Sequence, residues 1–190
     1  MNRMMRASLI GPIAAAFLSL LAIGPRVAQA QVISNPTNVT LNAVVTESVA
    51  TSVNSANVNF NLVPGTGPTA GVPTVTVTTS WDLNPGGKPT LSLYGSFASS
   101  TAALSNGAGK NIPSANVLAG VNGGALAAFN QTGPFGAAGG SLQIFSVVIS
   151  GVNKKATRND TLGLYIDLTS QPNLPAGTYT GVLSLQVRVL

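Results

Sequence analysis

Four carboxylates, Glu47, Asp82, Asp160 and Asp167, are the whole acidic complement of a 190-residue chain with no histidine and no cysteine. That absence removes the commonest general base, the thiolate nucleophile and the usual ligands of a zinc or copper site. A carboxylate pair could still cleave a glycosidic bond if its members came within about 5–10 Å. Asp160 and Asp167 are closest in sequence, yet extended chain between them spans roughly 23 Å at about 3.3 Å per residue. Asp82 has no evident partner either, and each of the three reads as a solvated turn residue. Asn153 to Asp160 (NKKATRND) offers two oxygen acceptors for calcium, but Lys154, Lys155 and Arg158 inside it oppose a divalent cation. Trp81, Tyr94 and Tyr165 could stack on a sugar ring, although strand parity turns Trp81 inward. Glycosylation patterns begin at Asn38, Asn130 and Asn159. The residues thus point to a protein that is not an enzyme, with no catalytic residue, metal or cofactor.

The elements that would position these side chains begin after an export signal. Arg3 and Arg6 precede an apolar run from Ala7 to Ile23, Gly24-Pro25 breaks it, and Ala28-Gln29-Ala30 supplies small residues for cleavage after Ala30. The expected destination is the periplasm, the outer surface or the extracellular medium. No second apolar stretch of spanning length follows, so no integral membrane segment is expected after cleavage. Arg3, Arg6 and Arg26 would leave with the signal, reducing the formal charge from +5 to +2. Only Lys154, Lys155 and Arg158 cluster, reading as a solvated turn, so no nucleic-acid partner is indicated. Without cysteine the fold must rest on sheet packing, and its low charge suits self-association.

The remaining chain reads as short alternating runs punctuated by Pro, Gly and Asn, the pattern of an all-β antiparallel sandwich over 47–190. Val39, Leu41, Ala43 and Val45 share one face of residues 31–46, an N-terminal extension or first strand. Val49 and Val53 mark the next strand, and Val58, Phe60 and Leu62 alternate with asparagines. Val75, Val77 and Trp81 lead through Asn84-Pro85-Gly86-Gly87 to Leu91, Leu93 and Phe97, which suggests a long-looped hairpin. Residues 98–140, rich in Gly, Ala, Ser and Asn, are read as an insertion holding short strands or a helical turn, or as a mobile binding loop. Leu142 to Ile149 is apolar on both faces, as in a central, doubly covered strand. Leu162, Leu164, Ile166 and Leu168 face inward, and Tyr179, Leu183, Leu185, Val187 and Val189 share a face of the last strand.

The run Leu174 to Leu190 (LPAGTYTGVLSLQVRVL) resembles the end of chaperone-usher pilus and coat subunits, especially the spore coat U-like group. Residues 38–45 (NVTLNAVV) and 47–60 (ESVATSVNSANVNF) resemble that family's donor segment and first strands. The resemblance covers only the two ends, and the cysteine pair usual in coat-type members is absent, Ser48 or Val49 standing where its first member would fall. It implies an immunoglobulin-like sandwich completed by strand addition from a neighbour. Val39, Leu41, Ala43 and Val45 would be the donor residues. Leu183, Leu185 and Val187 would border the acceptor groove, and a periplasmic chaperone and outer-membrane usher would be partners. The residues themselves leave two functions open: a surface structural subunit for fimbriae, coat or adhesion, or a self-contained envelope module binding a glycan or protein through its Gly-rich middle. In the second case residues 39–45 are the first strand of a complete sandwich.

Overall fold

The structure, a computed structural model, describes residues 35–190 apart from Lys88. The export signal and its cleavage site lie outside the described residues. Among the described residues eleven strands follow one another as β1 (Ser48–Val53), β2 (Thr69–Ala70), β3 (Val75–Asp82), β4 (Thr90–Ser96), β5 (Leu104–Ser105), β6 (Asn111–Ile112), β7 (Val117–Val121), β8 (Leu126–Ala128), β9 (Ser141–Val148), β10 (Lys155–Ile166) and β11 (Ser184–Val189). Helix among the described residues is limited to two single 3₁₀ turns, Pro85–Gly87 and Ser114–Asn116. Residues 35–47 carry no strand, and within 35–43 both Val39 and Leu41 are exposed.

Every ladder is antiparallel. One sheet runs β1-β3-β10-β7-β8, with β2 also paired to β10; a second runs β11-β4-β9; β5 and β6 form a small hairpin. The fold is therefore an all-β, sandwich-like arrangement whose alternating strands turn one face inward. Along β3, Val75, Val77, Thr79 and Trp81 are buried while Thr76, Thr78, Ser80 and Asp82 are half-buried. β10 buries Asp160, Leu162, Leu164 and Ile166 on its matching face. Across the core, Leu91 and Leu93 of β4 are fully covered, and Phe129 meets Phe97 edge to face at 5.2 Å. Gly95 makes room for that ring, because a Cβ there would lie 2.8 Å from Phe129 Cε1.

Three local patterns are deployed differently from the expectation. The Val75–Trp81 and Leu91–Phe97 runs do not form a hairpin: β3 pairs with β1 and β10, β4 with β11 and β9, so residues 83–89 carry the chain from one sheet to the other. Leu142 to Ile149 is not a central strand, since β9 ends the three-stranded sheet. A bulge explains its two apolar faces: Leu93 pairs with Phe145 but Tyr94 with Gln143, so Ile144 is the extra residue and the inward set changes phase there. Val58, Phe60 and Leu62 keep their alternation in burial without joining a strand, holding only the bridge Asn59–Val72. Residues 98–140 supply β5 to β8, and β7 lies inside the large sheet between β10 and β8.

Candidate functional site

The acidic residues do not converge on a reacting centre. Asp82 pairs with Lys155 across the β3–β10 ladder at 2.9 Å, an exposed contact. Asp167 lies just past β10, where Oδ1 accepts the Thr169 N–H at 2.9 Å and its hydroxyl at 2.7 Å. Those bonds, the backbone one first, hold its carboxyl below the ordinary range. Asp160 departs from the solvated turn expected of it. It continues the inward parity of Leu162 on β10, its side chain 1% exposed, and Arg158 Nε donates to Oδ2 at 2.7 Å. Asn122 Nδ2 and Arg158 Nη2 both donate to Oδ1 at 2.8 Å. Burial pushes this carboxyl up, but the bonds from Arg158 and Asn122 outweigh it and the net shift is downward.

Lys155 and Arg158 likewise sit on a strand instead of a solvated turn. The Arg158 guanidinium lies 4.4 Å from the centroid of the Phe145 ring on the facing sheet, joining the two layers. With the Asp160 oxygens committed and Asn153 Oδ1 accepting the Ser150 N–H, residues 153–160 offer no open cation cage. Among the described residues no group of three or more acidic, His or Cys side chains could hold a metal. Trp81 is core, its Nε1 donating to Asn153 O at 2.8 Å; Tyr94 stands edge-on to Phe135, and Tyr165 lies on the outer face of β10. The three aromatics form no shared platform. A cleft lined by Lys110, Asn111, Gln171 and Asn173 brings no carboxylates together.

One flank of the fold is half-open. Among the described residues β1 pairs only with β3 and β11 only with β4, and these two edge strands of the facing sheets lie alongside each other. The register turns Val49, Thr51 and Val53 inward opposite Trp81, Thr79 and Val77. It does the same for Leu185, Val187 and Val189, opposite Gly95, Leu93 and Leu91. Yet Val49 is 36% and Val53 42% exposed, while Leu183, Leu185, Val187 and Val189 are only half-buried. Inward-pointing apolar side chains that still see solvent mark a half-open apolar seam between the two edges, called the groove below. Of the acceptor candidates, Leu185 and Val187 lie on the inward face of β11 and Leu183 just before it, all three half-buried against the core.

The groove has a polar level. Thr51, Thr79 and Arg158 are consecutive cross-strand neighbours, and the contact of Arg158 with Phe145 sets them level with Phe145, Leu93 and Val187. The Oγ1 atoms of Thr51 and Thr79 are buried without a hydrogen-bond partner. Parity alone could have found this row, since Arg158 and Asp160 precede Leu162 by even steps.

Of the donor candidates, Val39, Leu41, Ala43 and Val45 are all exposed, Leu41 at 89%. No helix among the described residues is long and apolar enough to cross a membrane. No family model, curated protein or solved structure matches the chain.

Proposed function

We propose that this chain is an exported structural subunit of a surface fibre or coat that assembles by donor-strand exchange, residues 39–45 of one copy filling the β1–β11 groove of the next. The observation that carries this reading is the exposure of inward-facing residues on both edge strands. β11 offers an unpaired main-chain edge, and an incoming strand would supply both hydrogen bonds and a side chain at every second position. Val39, Leu41, Ala43 and Val45 have that period, and burying each large member contributes about 1.5–3 kcal/mol before ordering costs. The completed domain would be immunoglobulin-like. A periplasmic chaperone would cover the groove before assembly and an usher would export the polymer.

Parity supplies the test. Leu41→Asp places a charge in the groove, at a cost of several kcal/mol, whereas Asn42→Asp faces the rim and is nearly neutral. Size-exclusion chromatography of the 31–190 protein is expected to show oligomers for the wild type and Asn42→Asp, and monomers for Leu41→Asp. A monomeric wild type in which Leu41→Asp lowers only the melting temperature would refute the proposal.

A further inference from the structure

The groove reading leaves a question of choice, because residues 39–45 are joined in sequence to β1, one wall of their own groove, as well as available to another copy. We infer that the junction from Val44 to Ser48 bars self-capping and commits the strand to a second copy; this rests on the donor-strand reading. Immediately before β1, which starts at Ser48 opposite Asp82, the Glu47 side chain is tied down: the Asn84 N–H donates to Glu47 Oε1 at 2.6 Å. Asn84 itself follows Leu83, whose N–H is bonded to Lys154 O at 2.8 Å. Glu47 is thereby clamped to the turn that ends β3.

To lie in its own groove beside β1, the segment would have to reverse direction between Val45 and Ser48. Residues 43–47 are Ala-Val-Val-Thr-Glu, with no Gly, Asn, Asp or Pro. A two-residue hairpin turn needs positive φ at one or both central positions, which Thr46 and Glu47 resist. Phase opposes it too. A turn at Thr46-Glu47 pairs Val45 with Ser48, bringing Val44, Asn42 and Thr40 level with the inward Val49, Thr51 and Val53. Leu41, Ala43 and Val45 would then point outward. A three-residue turn restores the phase but removes Val45 from the strand and asks Glu47 to adopt the left-handed conformation. A second copy's groove imposes none of these demands.

The prediction is a change of molecularity by a change of loop. Inserting Gly-Asn-Gly-Ser between Val45 and Thr46 of the 31–190 protein gives the chain a turn and frees its phase. That variant is expected to run as a monomer, melting above a variant lacking residues 31–45, and adding Leu41→Asp to it is expected to remove the gain. Glu47→Ala keeps the chain length and removes only the clamp; its monomer fraction is expected to rise about fivefold, the equivalent of one hydrogen bond. An insertion variant that still assembles like the wild type overturns the junction's role and leaves donor-strand exchange standing. A wild-type monomer whose size is insensitive to Leu41→Asp overturns both.

Discussion

The middle of the sandwich and its β1–β11 flank use the same alternation to different effect. In the middle, around β10 and β3, inward residues such as Val77, Leu162 and Ile166 are fully covered. On the flank of β1 and β11, inward residues of the same types remain half-open. The difference is not composition but neighbours: β3 and β10 are paired on both sides, whereas β1 and β11 are each paired on one. Burial of an apolar strand face thus depends on the strand beside it as much as on the sheet opposite, and an unpaired edge leaves both its hydrogen bonds and its inward side chains for a partner.

The largest effect that sharpens this comparison is a cavity in the closed middle of the sandwich. Leu162→Ala is expected to destabilise the monomer by about 3–5 kcal/mol, because a fully covered leucine leaves a void that its neighbours cannot fill. Leu185→Ala, the same change on the half-open β11, is expected to cost about 1–2 kcal/mol in the monomer while weakening assembly. Urea unfolding of the two variants lacking residues 31–45 gives the ratio directly. Equal losses would mean that the middle and the β1–β11 flank do not differ.

The ion pair between the layers comes next. Asp160→Asn leaves the Arg158 guanidinium without its charged partner beside Phe145, and the expected loss is about 2–3 kcal/mol, at the low end for a buried pair because Arg158 is half-exposed. The Asp160 carboxyl is held below its ordinary value when folded. Its contribution is therefore full above the unfolded pKa of about 3.9 and disappears as pH falls through the folded value. From pH 7 downward, the melting curves of wild type and Asp160→Asn are expected to begin converging as pH falls below about 4 and to meet only below the folded pKa of Asp160. A gap that persists at low pH would assign the effect to packing.

What could be read from sequence follows from which forces are local. The inward faces of β3, β10 and β11 were legible because period-two burial is written in consecutive residues. The pairing of β3 with β1 and β10 instead of β4 was not, since Asn84-Pro85-Gly86-Gly87 serves equally as a hairpin turn or a crossing between sheets. Asp160 was misread by chemical type: a carboxylate suggests solvent, yet its parity with Leu162 and Leu164 already placed it inside, and only the tertiary contacts with Arg158 and Asn122 make that position tolerable. The β9 bulge hid an ordinary edge strand behind an apolar pattern. On β11 the inward set was legible from alternation, whereas the row of Thr51 and Thr79 depends on which strands meet.

The central claim is that the open flank accepts a strand of this chain's own sequence, and a peptide tests it without the complication of polymer formation. A peptide of residues 37–46 added to a protein lacking residues 31–45 is expected to raise its melting temperature in a saturable manner and to protect the β1 and β11 amides from hydrogen exchange. A Leu41→Asp peptide is expected to do neither. Equal effects from both peptides, or protection confined to strands away from β1 and β11, would contradict the account.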